Sequence, residues 1–122
     1  MQDEPTPVEL TKAVADFLRN DITPMVSGHN AFKLRVAINA LDLVVRQLTL
    51  EQASDTAEAE RLAKLLGVEG SLLEQNRALA ERIAKGEIDL ATPGLPEHLW
   101  QTTLAKLAVD QPNYASYKRE KS

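Results

Sequence analysis

The chain contains no cysteine. That excludes disulfides, thiolate nucleophiles and cysteine-based zinc sites. Phe, Trp and Tyr make up only 4% of the 122 residues, too few and too scattered for a base-stacking surface. Five glycines are present, none in a G-x-G-x-x-G or G-x-x-x-x-G-K arrangement, so no phosphate-cradling loop is recognisable. G-x-S-x-G and S-x-x-K are absent as nucleophile motifs, as are H-E-x-x-H and E-x-x-H as metal motifs. His29 and His98 lie in different segments. His29 reads as a turn residue and His98 as part of the first turn of the last helix. Neither gives grounds for a metal or catalytic role, and no cofactor is expected.

Positive charge is also short. The net charge is −4, which disfavours general nucleic-acid binding. The basic run at 118–121 is too short to offset the acidic remainder. No apolar run approaches the about eighteen residues of a membrane span, so no membrane partner is expected. The opening MQDEPTPVEL is acidic and proline-containing, unlike a secretory leader. A cytoplasmic, reducing location is compatible with these features.

What is present is helix-forming. The apolar fraction is 43% and the charged fraction 26%, the balance of a soluble globular chain long enough for one domain. Apolar residues recur at helical spacing, and alternation with turn pairs is missing. The spacing predicts an all-α single-domain bundle of about five helices, with a core over about 6–111. The first helix covers about 7–21, with Thr6, Pro7 and Glu9 as start signals and Leu10, Ala13, Val14, Phe17 and Leu18 on one face. Pro24 is expected to push Thr23 out of helical geometry, with Gly28 in a turn and Asn30 as a cap. The second helix, about 31–50, is the central one. The third, about 55–66, is capped by Ser54 or Asp55 and ended by Gly67, with Ala59, Leu62, Ala63 and Leu66 inward. The fourth, about 72–85, carries the capping box SLLE and a closing Gly86, with Leu72, Leu73, Leu79, Ala80 and Ile83 inward. The fifth, about 96–110, places Trp100, Leu104, Leu107 and Ala108 inward. Residues 113–122 read as a frayed tail.

One polar line interrupts the apolar second helix. Arg35, Asn39, Asp42 and Arg46 fall within about 60° of arc at 100° per residue. The line is either the solvent stripe of a central helix, with Asp42 and Arg46 as an i,i+4 pair, or a seam facing a partner. Arg35 and Arg46 lie roughly 16 Å apart along the axis. That separation suits an extended surface better than one small anion. His29 and Asn30 adjoin the line, so the candidate partner or ligand surface is His29, Asn30, Arg35, Asn39, Asp42 and Arg46. Asn76 shares the arc of Leu72, Leu73, Ala80 and Ile83 and is expected to point inward. A buried unpaired amide costs about 1–3 kcal/mol. It should therefore bond either a loop backbone or a buried network with Asn39 or Arg35.

Four phrases occur in order: PTPVELTKAVADFLRNDITP, AFKLRVAINALDLVVRQL, LEQNRALAERIAKGEID and LAKLAVDQPNY. Over about residues 5–114 the chain resembles a bacterial domain family of unknown function. The resemblance implies an association with aminoglycoside-phosphotransferase-like kinases, beside or fused to them, in gene settings that also encode acyl-CoA dehydrogenases. It matches Arg35 and Asn39 in the second helix and Asn76 and Arg77 in the fourth. The ending QPNY at 111–114 departs in order from the family's NPxY-like form. The expectation is a helical accessory or interaction domain, with a kinase-like protein as the implied partner. The alternatives are a homo-oligomeric structural protein, or a stand-alone enzyme or small-ligand binder with a pocket near Arg35, Asn39 and Asn76.

Overall fold

Thr6 starts the first helix, α1 (Pro7–Phe17), by accepting the Glu9 backbone N–H on its hydroxyl at 3.2 Å. The same hydroxyl donates to the Glu9 carboxylate at 3.1 Å, so Thr6 caps the helix as expected, but the Glu9 side chain meets the Thr6 hydroxyl and not the backbone N–H that a full capping box would use. In this computed structural model, which describes residues 4–121, five α-helices follow one another and no strand occurs among the described residues. They are α1, α2 (Gly28–Leu66), α3 (Leu72–Ala84), α4 (Leu95–Asp110) and α5 (Ala115–Lys121). The chain divides into two compact units, Met1–Leu50 and Glu51–Ser122.

In the first unit the helical path does not break at Thr23, contrary to the sequence expectation. A π-helical turn (Leu18–Ile22) and a 3₁₀ turn (Thr23–Met25) carry it on. Thr23 keeps helical angles, φ −50° and ψ −44°, and its N–H reaches back five residues to the Leu18 carbonyl. The wider turn accommodates Pro24, which cannot donate a backbone hydrogen bond. Gly28 (φ +62°) opens α2. Asn30 therefore lies inside the first turn rather than capping it.

The expected break between the second and third helices is missing. Residues 28–66 form one helix of 39 residues. The stretch EQASDTAEAE contains neither Gly nor Pro, and its Glu, Gln and Ala residues favour helix. Ser54 and Asp55 are potential caps, but nothing at this point forces the helix to end. Residues 28–50 of α2 belong to the first unit and 51–66 to the second.

In the second unit Gly67 (φ +66°) follows the end of α2, and Ser71 opens α3 with a complete capping box to Glu74. Arg82 of α3 donates from Nη1 to the Leu66 carbonyl at 3.0 Å, placing a cation on the C-terminal end of α2. After α3, the Glu87 N–H bonds the Arg82 carbonyl around Gly86 (φ +74°). That is the Schellman arrangement for which a left-handed residue is needed. Leu62, Leu66, Leu79, Ile88 and Leu95 form the core, with Leu65, Val68, Leu72 and Ala78 against it.

Two inward faces differ from expectation. On α3 the protected positions are Leu72, Gln75, Ala78, Leu79 and Arg82, while Leu73, Ala80 and Ile83 are exposed. The helix is turned by about one position because Arg82 bonds the Leu66 carbonyl at the end of α2 and Gln75 bonds the Val68 carbonyl two residues beyond it. On α4 Trp100 is exposed, and Leu95, His98 and Val109 are buried instead. The tail expected to fray holds α5 up to Lys121; Ser122 lies outside the described residues.

Candidate functional site

The polar line of α2 lies where helical spacing puts it, but the structure supplies partners that the spacing does not suggest. Asp42 accepts two hydrogen bonds from Arg19 Nη2, at 2.8 and 2.7 Å. Arg19 Nη1 also reaches Asp16 at 2.9 Å. The hydrogen bond and charge of Asp42 raise the already high pKa of Arg19 further. Arg19 thus ties the turn after α1 to the middle of the line. Arg35 stands over the Phe32 ring, 6.0 Å from its centroid, and the His29 ring stacks on the same Phe32 at 6.5 Å. His29, Asn30, Arg35 and Asn39 are exposed, and Asp42 and Arg46 half-buried.

Beside this line runs an apolar one. Phe32, Val36, Leu43 and Leu50 fall within about 40° of arc, and all are exposed. Leu10, Val14 and Phe17 form a similar exposed stripe on α1. The sequence shows these residues at the right spacing, but the same spacing serves a buried face equally well. Only the structure shows that they are left uncovered.

Asn76 does not point into the core. It is exposed, and its Nδ2 donates to the Leu72 carbonyl at 3.0 Å and to Glu58 at 3.2 Å. Asn39 is exposed as well, so the buried network expected of these two asparagines is not present. The buried amide is the neighbouring Gln75, 3% exposed. Its Nε2 donates to the Val68 carbonyl at 3.0 Å. Its Oε1 is the one buried side-chain polar atom without a partner among the described residues.

A second constellation sits in the second unit. His98 is in the first turn of α4, as expected, but it is 3% exposed. Its Nδ1 accepts from Arg61 Nε at 3.2 Å, and Arg61 Nη2 donates to Thr102 at 3.3 Å. Burial first, and the Arg61 charge second, lower the His98 pKa, opposed by Glu58. The imidazole is therefore neutral at pH 7, with its proton on Nε2. Arg61, Lys64, Leu65, Pro93, Gly94, Glu97 and His98 line a cleft of about 210 Å³. The sequence signal for it is the i,i+4 spacing of His98 and Thr102 on α4. Arg61, 37 residues before His98, cannot be joined to that pair by spacing alone. A separate apolar cleft of about 210 Å³ lies between α4 and α5, where Trp100, Leu104, Leu107, Tyr114 and Tyr117 are among the lining residues.

Among the described residues no group of three or more His, Asp or Glu could hold a metal ion, and no helix is long and apolar enough to cross a membrane. No match was found among curated proteins or solved structures. A family model described as "Domain of unknown function (DUF6285)" matches residues 24–114, about three quarters of the chain. The chain belongs to that family of domains of unknown function.

Proposed function

We propose that the protein is a helical interaction domain that works through its first fifty residues. One observation carries this reading. Among the described residues of that unit ten large apolar side chains, from Leu10 to Leu50, are 37 to 77% exposed, while only Ala15 and Ile38 are buried apolar residues. Monomers rarely leave so much apolar surface uncovered.

The occupant we favour is a second copy of the chain. The ten exposures amount to about five whole side chains, on the order of 800 Å². That is the area one partner contributes to a standard interface. The residues also lie on more than one side of α2: Val44 and Leu48 are about 80–160° around from Phe32, Val36 and Leu43. Covering them takes more than one helix, and a second copy brings both α1 and α2. The flanking polar line, His29, Asn30, Arg35, Asn39, Asp42 and Arg46, would form the rim.

The resemblance favours a second reading, in which the domain assists a phosphotransferase-like kinase acting on a small molecule in a bacterial cytoplasm. A kinase-like protein would then cover the same face. The pocket envisaged near Arg35, Asn39 and Asn76 has less support: neither of the two clefts described above is lined by any of the three.

Light scattering after size exclusion tests the favoured reading. The expected mass is twice 13.4 kDa, falling to the single-chain value in the double variant Phe17→Ser/Phe32→Ser with helix content retained. A wild-type monomer at every concentration contradicts self-association. Stoichiometric recovery of a kinase-like protein with that monomer would favour the accessory reading.

A further inference from the structure

We propose that the cleft around His98 binds a small organic monocarboxylate. The proposal stands on the second unit alone and is independent of how the first unit is covered. The key group is the His98 ring. Its Nδ1 is committed as acceptor to Arg61 Nε, so Nε2 must carry the proton. Nε2 has no partner among the described residues, yet it is not an enclosed orphan, since only Gln75 Oε1 has that status. A side chain 3% exposed therefore keeps a donor within reach of solvent, and the ring lines the cleft.

Other donors join it. Arg61 uses Nε and Nη2 within the protein, leaving Nη1. Lys64 lines the same cleft and is exposed. The start of α4 adds a backbone donor. Gly94 caps the helix with φ +94° and no side-chain bond. The Leu95 and His98 N–H groups bond the Thr92 and Gly94 carbonyls, and Pro96 has no N–H. Glu97 N–H is thus the first-turn donor without a partner, at the positive end of the helix dipole.

The charge balance selects the ligand. Among the lining side chains Arg61 and Lys64 contribute two positive charges and Glu97 one negative, with a neutral imidazole; Glu58, whose charge also reaches His98, is not in the lining. One anionic charge on the ligand neutralises the cleft, whereas a phosphate dianion would face the Glu97 carboxylate. Leu65 and Pro93 supply apolar wall for an uncharged body. The volume, about 210 Å³, lies below the roughly 300–1,000 Å³ of drug-sized sites, so that body must be short.

The test is a titration of ¹⁵N-labelled full-length protein with hexanoate, benzoate, hexanol and inorganic phosphate, followed by amide and imidazole shifts. Saturable shifts at residues 61, 64 and 94–98 are expected with the two carboxylates, and much weaker ones with hexanol or phosphate. His98→Asn keeps an acceptor for Arg61 Nε but removes the Nε2 donor. Lys64→Gln removes a charge on an exposed side chain. Each should weaken carboxylate binding by roughly tenfold, the scale of one charge-assisted hydrogen bond, with the remaining spectrum unchanged. Absence of saturable shifts, equal binding of phosphate, or unaltered affinity in both variants would overturn the proposal.

Discussion

The two units contain similar apolar residues and place them differently. In residues 51–122 the large side chains Leu62, Leu66, Leu79, Ile88 and Leu95 are buried together, and polar groups close the ends: Arg82 on the α2 terminus, Ser71 and Glu74 at the α3 start. Among the described residues of the first unit the buried apolar ones are Ala15 and Ile38, and Phe17, Phe32 and Val36 face outward. The second unit has the means to hold itself together. The first exposes an apolar surface that adds nothing to its stability as it stands, because apolar area contributes nothing until water leaves it. Helical periodicity cannot distinguish the two cases, since it fixes which residues share a face and not what covers that face.

Substitutions sharpen this contrast. The largest effect is expected for Leu62→Ala, at 0% exposure. It should cost about 2–5 kcal/mol in denaturant unfolding. Val36→Ala in the first unit should leave single-chain stability within about 0.5 kcal/mol and instead weaken assembly. Equal losses at both positions would remove the distinction between the units.

Arg82→Met is expected to come next. It keeps the packed stem but leaves the Leu66 carbonyl without its charged donor, at a cost of about 1–2 kcal/mol. The second unit should register this loss, and the apolar face of the first should not. Thermal or urea unfolding, read with light scattering on the same variant, separates the two.

A smaller effect should appear with pH. The His98 pKa is lowered in the folded protein. Between its folded value and the ordinary value near 6.5 the unfolded chain binds more protons, so stability rises with pH there and levels off above. It is lost as pH falls through the folded value. His98→Asn should flatten this part of the stability profile, and a profile identical to wild type would contradict the burial of a neutral imidazole. Smaller still is Asn76→Ala, whose amide is exposed. Its melting temperature should move little, whereas a change of several kcal/mol would point back to a buried role.

Much of the fold is legible in the sequence because helix ends carry local chemistry. Thr6, Ser71, Gly67 and Gly86 mark boundaries through side-chain and backbone preferences that act within a few residues. The continuous helix through 51–54 is not legible in that way: potential caps are present, but neither Gly nor Pro compels a stop. The rotation of α3 depends on where the end of α2 lies in space, which turns Gln75 and Arg82 inward and Asn76 outward. At the candidate sites, the arc of Arg35, Asn39, Asp42 and Arg46 follows from spacing alone. The Arg19–Asp42 pair spans 23 residues and the Arg61–His98 pair 37, and neither separation has a local signature.

The central claim is that the first unit is incomplete until a second copy covers it. Amide hydrogen exchange, compared between the wild-type protein and Phe17→Ser/Phe32→Ser, tests it most directly. If the claim holds, protection over residues 7–50 falls sharply in the double variant and over 72–110 stays the same. Unchanged protection over 7–50, with a single-chain mass for both proteins, would contradict it.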